Sequence, residues 1–271
     1  MKAVRVTVQA DGTSSIAPLA WPAIQRKGDA GADNFRKAAT VGVMPSHFNS
    51  QPAYALRAIM LSEGEFKGLA SQAGALLTLV VSGDVTLKAG RSQSELEAGD
   101  IFLSDEESAP GIVLDVRGQG RLVQLAIASD WPPAGAEIPT SGTINPRQGP
   151  PNFTRIVKGE GSDDKAHFAE LTELFPKTCD RWSSPFPLTG FRMMCWEDGW
   201  MDFHPCVTNQ MSIIMSGEME VEVGGGAKTR FRAGDICVAE DRTGQGHTSR
   251  ARGAVHTTNL VFAMERVWGQ E

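Results

Sequence analysis

Two stretches of this chain carry the same succession of residues. LVVSGDVTLKAGRSQSELEAGDIFLSDEES (79–108) aligns with IIMSGEMEVEVGGGAKTRFRAGDICVAEDRT (213–243) with one single-residue gap. In each, an apolar strand reaches Ser-Gly, an acidic residue follows, a second strand runs into a hairpin, and Ala-Gly-Asp-Ile opens a third strand. Gly83 answers to Gly217, and the pair Gly99-Asp100 to Gly234-Asp235. A repeat that agrees in order, spacing and a shared tetrapeptide requires two halves that fold alike.

The repeated unit is built of strands. In GEMEVEV, Met219, Val221 and Val223 alternate with Glu218, Glu220 and Glu222, which gives one apolar and one solvated face. Runs such as ALLTLVVSGDVTL, RLVQLAIAS and DICVAED end on Gly or Asp, and the chain's 29 glycines and 15 prolines suit many turns and short strands. The expectation is an all-β chain of two β-barrel units with a few short helices. The predicted boundaries are 1–135 for the first unit, 136–155 for a Pro/Gly-rich linker, and 156–271 for the second unit, which carries the site. GSDDKAHFAELTELF places Phe168, Leu171 and Leu174 at helical spacing behind a Ser/Asp cap and predicts one short helix there.

The SGE hairpin followed by AGDI resembles the cupins, small antiparallel jelly-roll barrels, and two copies make the chain similar to a bicupin. The wording EDRTGQGH resembles a poorly characterised cupin subgroup. Cupins include dioxygenases, isomerases, decarboxylases, sugar-binding regulators and storage proteins, so the resemblance implies a fold and leaves the activity open. The family's first motif holds a Gly, a His-x-His pair, an acidic residue and a second Gly. Here Gly199, His204, Pro205, Cys206, Gln210 and Gly217 keep that spacing, with Cys in place of the second His and Gln in place of the acid. The second motif ends on a His, matched by His247, with Glu240 standing where a Pro is usual. His204, Cys206 and Gln210 share parity, so one regular strand would point all three inward.

Two readings of this set stay open. In one, His204, Cys206, Gln210 and His247 hold a divalent ion (Zn, Fe, Mn or Ni) for dioxygenase, isomerase or decarboxylase chemistry, with Glu240 moving protons and Cys206 needing to be a thiolate. In the other there is no metal: Cys206 is a small buried hydrophobe, and His204, Gln210 and His247 line a pocket for a small organic molecule. Arg192, at the parity of Met194 and Trp196, would then meet a carboxylate, and Trp196 would shape the pocket with Trp182, Phe186, Phe191 and Trp200. Counting back from Gly83, the first half places Ala70, Gln72, Leu76 and Ile112 at the four ligand positions, none of them an imidazole, carboxylate or thiol. The first barrel is therefore expected to be structural or to bind without metal.

The remaining features exclude more than they assign. Lys and Arg number 26 against 32 Asp and Glu, a net charge of −6, and no basic block tracks phosphates, so nucleic acid is not an expected partner. No apolar run is long enough to span a membrane, and the four cysteines (Cys179, Cys195, Cys206, Cys237) form no CxxC pair, so a reducing cytoplasm is expected. The cupin resemblance implies a homodimer. His47, His167 and His256 are assigned no role, and the absence of a GxSxG or Walker sequence removes the hydrolase-elbow and nucleotide readings.

Overall fold

A computed structural model of the chain describes residues 1–8, 11, 13–20, 23–29, 51–69, 74–105, 111–128, 131, 149–159 and 164–262, of which 23–29 and Glu197 are described in their backbone alone. Most of the predicted linker, together with His47, Ala70 and Gln72, lies outside these residues. The described chain is all β. It divides into two compact units, Met1–Pro22, Pro52–Ser141 and Leu174–Pro187 forming unit 1, and Ala23–Gln51, Gly142–Glu173 and Leu188–Glu271 forming unit 2.

In unit 1, β1 (Ala3–Val8) pairs antiparallel with β2 (Ser14–Pro18) and parallel with β8 (Ile101–Ser104). β6 (Ala75–Ala89) pairs with β7 (Ser92–Leu96), β8 and the long β9 (Ile112–Ile127), and β9 also carries β4 (Ala53–Leu61) and β5 (Gly64–Phe66). Unit 2 repeats each pairing. β10 (Phe153–Lys158) lies antiparallel to β11 (Ala166–Glu170) and parallel to β16 (Ile236–Ala239). β14 (Gln210–Val223) pairs with β15 (Lys228–Arg232), β16 and β17 (His247–Phe262), and β17 carries β13 (Phe186–His204) from Leu188 onward. Each unit also takes in a segment from outside its own half. β12 (Arg181–Trp182) joins β4 in unit 1, and β3 (Ala23–Asp29) joins β13 in parallel in unit 2.

The repeated tetrapeptide has a physical task. Asp100 accepts the backbone N–H of Glu97 at 3.0 Å and that of Lys2, which ties the turn before β8 to the start of β1. Asp235 accepts from Arg232 at 2.7 Å and from Asn152 at 2.5 Å, the same two bonds one repeat later. A buried carboxylate that satisfies two backbone donors fixes both register and strand order. Gly217 has φ +80°, and a Cβ there would run into the carbonyl of Ala254; Gly83, at φ +90°, would meet Gln119 O at 2.8 Å. Only glycine meets both demands, which is why SGE and SGD recur.

The predicted helix over 161–175 is not formed where it is described. Ala166–Glu170 is strand β11, because Phe168 and its neighbours hydrogen-bond along β10 in register, Ile156 opposite Phe168. Tertiary pairing overrides the helical spacing of three apolar residues. Among the described residues no helix is long and apolar enough to cross a membrane.

Candidate functional site

At several matching positions the interior of unit 2 carries polar residues where unit 1 carries aliphatic ones. Strand register makes the equivalence explicit. Val223 faces His247 as Ala89 faces Ile112, Val221 faces Ser249 as Leu87 faces Leu114, and Ile214 faces Thr257 as Val80 faces Leu122. Gln210 faces Ala239 as Leu76 faces Ser104. Four buried aliphatic side chains of unit 1 are thus replaced by Gln210, His247, Ser249 and Thr257. In unit 1 Ile112, Leu114 and Leu122 join Ile59, Leu61, Val85, Leu87 and Phe102 in a packed core, and Leu76 packs with Ala126 and Ala55. In unit 2 a cavity remains, with about 50 Å³ open to the centre of a water-sized sphere. A single water needs about 10–15 Å³ by that measure, so the space suits a few waters or a very small solute.

Arg192, Gln210, Trp196, Asn259 and His247 all line this cavity. Arg192 is buried, at 3% exposure, and its Nη2 donates to Gln210 Oε1 at 3.0 Å. Asn259 accepts the hydroxyl of Ser212 at 2.6 Å and donates through Nδ2 to Met194 Sδ at 2.9 Å. Arg192 faces Asn259 across β13 and β17, and Ser212 faces it across β14, so three adjacent strands set one polar layer.

The histidines sit against each other, ring centroids 4.8 Å apart and tilted by 52°. Both are buried, and each ring is fixed through Nδ1. That of His204 meets the carbonyl of Asp202 at 2.7 Å, and that of His247 meets Asp241 Oδ2 at 2.7 Å. A carbonyl can only accept, so Nδ1 of His204 donates and Nε2 of the neutral ring carries the lone pair. The carboxylate of Asp241 imposes the same tautomer on His247.

Cys206 does not continue the strand of His204. β13 ends at His204, Pro205 follows, and β14 begins only at Gln210, so the shared parity of 204, 206 and 210 is not realised in one strand. The Cys206 N–H donates to the carbonyl of Asp241 at 3.2 Å. Burial, and then the charge and hydrogen bond of the Asp241 carboxylate, push the Cys206 thiol well above its ordinary pKa. Gly244 and Gly246, at φ +86° and +76°, let the loop before His247 lie close on Asp164 and His204, and a Cβ at Gly246 would strike the His204 carbonyl. The TGQGH wording is thus the means by which two imidazoles are brought together.

Other candidates lie elsewhere. Glu240 is held by Arg155 at 2.8 Å, both largely buried, and does not line the cavity. Trp182 packs against the core of unit 1 and donates to Gly68 O at 2.7 Å, whereas Trp200 is 40% exposed. His167 lies exposed on β11, and His256 is buried in mid-β17 with Nδ1 2.8 Å from Ser216 Oγ. Sequence reasoning did not single out Ser249, Thr257 and Asn259. Extending the repeat into the last strand would have found them, since RGQGRLVQ (117–124) and RGAVHTTN (252–259) align from a shared Arg-Gly.

The donor set does not fit a resident divalent ion. Asp241 is turned through Oδ2 to His247, and the Gln210 oxygen accepts from a buried guanidinium, so the two imidazoles are left without the further donors a closed site supplies. Among the described residues no three His, Cys, Asp or Glu side chains converge as an ion would need.

No family model matches the sequence, and no curated protein matches it. Solved structures similar to the chain include a cupin 2 conserved barrel domain protein from Leptotrichia buccalis, at 10% identity over 79% of this chain and 85% of that one, TM-score 0.39. A protein of unknown function from Pseudomonas syringae pv. tomato str. DC3000 matches at 13% identity over 96% and 100%, TM-score 0.32. A deletion mutant of Bacillus subtilis oxalate decarboxylase matches at 14% identity over 79% and 74%, TM-score 0.28. Likenesses at this level carry no argument about activity. What the strand pairing itself establishes is the architecture: two all-β units of one strand topology.

Proposed function

We propose that this protein binds a small organic acid inside unit 2, with the guanidinium of Arg192 receiving the carboxylate and no resident metal ion required. The observation that carries the reading is a buried arginine that lines a small cavity within unit 2 and donates to Gln210 there. A desolvated guanidinium gains most from a planar anion that takes two N–H bonds at once. Trp196, Met194 and Ile214 supply the apolar wall, and the cavity's size favours acids of two or three carbons over aromatic or sugar ligands. Titration calorimetry with acetate, propanoate and lactate tests this. Millimolar or tighter binding that disappears in Arg192→Met supports it, and binding that survives in Arg192→Met removes it.

A second reading, a metal-dependent enzyme using His204, Cys206, Gln210 and His247, is favoured by one observation. Both imidazoles are anchored through Nδ1 to an oxygen acceptor, as metal-bound histidines usually are. Elemental analysis of protein prepared without added metal or a histidine tag separates the two. Stoichiometric Zn, Fe, Mn or Ni that is lost in both His204→Ala and His247→Ala would replace the first reading with the second.

A further inference from the structure

We infer that unit 2 takes a soft monovalent ion, Cu(I), on a set of sulfur donors in the wall of its cavity, an inference that goes beyond the acid reading and rests on other residues. Four of the side chains that line the cavity carry sulfur: Met194 and Met201 on β13, Met219 on β14 and Cys237 on β16. All four are buried and belong to one packed cluster. Strand register shows what unit 1 has in their place. Met194 faces Thr257 as Ile59 faces Leu122, and Met201 faces Ser249 as Phe66 faces Leu114. Met219 faces Ala251 as Val85 faces Val116, and Cys237 faces Ser212 as Phe102 faces Thr78. At these positions unit 1 thus carries hydrocarbon side chains alone, and they form its core or pack against it.

Methionine in a core usually serves to fill an irregular gap. Here the gap is left: the four side chains line about 50 Å³ of open space, where one water needs about 10–15 Å³ by the same measure. The sulfur of Met194 is also oriented. Asn259, which lines the same cavity, donates through Nδ2 to Met194 Sδ at 2.9 Å, so this sulfur sits beside the polar layer. Thioethers are soft donors without charge, and among first-row ions they select Cu(I) over the harder divalent ones. They need no deprotonation, so an ion held on them does not depend on a thiolate. Burial pushes the Cys237 thiol up, so the three methionines carry the set and Cys237 adds a weak, uncharged sulfur. A monovalent ion also brings the smallest charge into an interior that Arg192 shares.

Cu(I) added to the full chain in oxygen-free buffer with ascorbate, in competition with a chromophoric Cu(I) chelator, tests this. A Cys179→Ser background removes the partly exposed thiol. The expected result is one Cu(I) per chain, with sulfur as its main neighbour in X-ray absorption. Met194→Leu, Met201→Leu and Met219→Leu nearly conserve volume, and each should weaken binding about tenfold, with stoichiometric binding lost when the three are combined. Met211 is buried but does not line the cavity, so Met211→Leu should bind as the parent does. Far-ultraviolet circular dichroism confirms that the variants are folded, and if the triple variant is not, the three single ones carry the comparison. Binding that survives in the Leu variants and is lost in His204→Ala and His247→Ala overturns the inference and gives the ion to the imidazoles. An equal loss in Met211→Leu, or no Cu(I) retained against the chelator, also overturns it. All of these variants keep Arg192, so the carboxylate reading stands or falls separately, by Arg192→Met.

Discussion

Unit 1 and unit 2 are built on the same strands, with the same turn glycines and the same two backbone bonds to a buried aspartate, yet among the described residues one has aliphatic side chains packed where the other has polar ones around a cavity. The difference sits at a few positions of equal register: Leu76, Ile112, Leu114 and Leu122 against Gln210, His247, Ser249 and Thr257. Replacing aliphatics by shorter or polar side chains gives up apolar burial worth on the order of 1–3 kcal/mol at each position. Unit 2 carries that cost and gains a lined cavity. The polar layer above is common to both units, because Arg57 faces Gln124 and Thr78 faces Gln124 just as Arg192 and Ser212 face Asn259. What marks unit 2 is therefore its histidine pair and the space beside it, more than its arginine.

The comparison can be broken first at the shared framework. Gly217→Ala should cost about 3 kcal/mol, because it adds a clash with the Ala254 carbonyl to a left-handed φ. Gly253→Ala, also at positive φ but in open space, should cost only about 1 kcal/mol, and thermal melts of the two variants give the contrast directly. Equal losses would mean that the close approach, and with it the reason SGE recurs, is misread.

Exchanging the interiors is the next largest perturbation. Leu122→Thr should destabilise unit 1 by about 2–4 kcal/mol through a cavity and a buried hydroxyl. The reverse change, Thr257→Leu, should keep or raise the melting temperature while removing acid binding by filling the space. A Thr257→Leu protein that still binds would place the ligand elsewhere.

Smaller effects separate the histidines. Asp241→Asn replaces the carboxylate that holds His247 and should cost about 1–3 kcal/mol of stability, read by thermal melts, and an unchanged melt would mean that this bond does not anchor the ring. Burial holds His256 below the ordinary imidazole pKa, so the folded state resists its protonation. That stability is present in full above about pH 6.5 and is lost as pH falls, so melting temperature should decline between pH 7 and pH 5. His256→Gln should flatten this decline, and an unchanged slope would assign it to other groups.

The architecture was legible because it is written twice. AGDI and SGE each perform a backbone task that one residue type alone satisfies, so Asp100, Asp235, Gly83 and Gly217 could be paired by eye. The cavity lining was half legible. Parity and spacing pointed to Gln210, Arg192, Trp196 and His247, which line it, but could not show that Pro205 breaks the strand before Cys206, nor that Asp241 holds the His247 imidazole. Those depend on how the loop before His247 folds back on His204, which Gly244 and Gly246 permit and which no periodicity encodes. The helix expected at 161–175 failed for the same reason: apolar spacing records which residues are buried, and β10, far away in pattern, decided in what conformation.

The central claim is that one of two equivalent barrels has become a binding site for a small acid. Calorimetric stoichiometry tests it most directly. Lactate titrated into the full chain should bind once per chain, with binding lost in Arg192→Met and kept in Arg57→Met, the same substitution at the matching position of unit 1. Two sites per chain, or a loss of binding in Arg57→Met, would contradict the account.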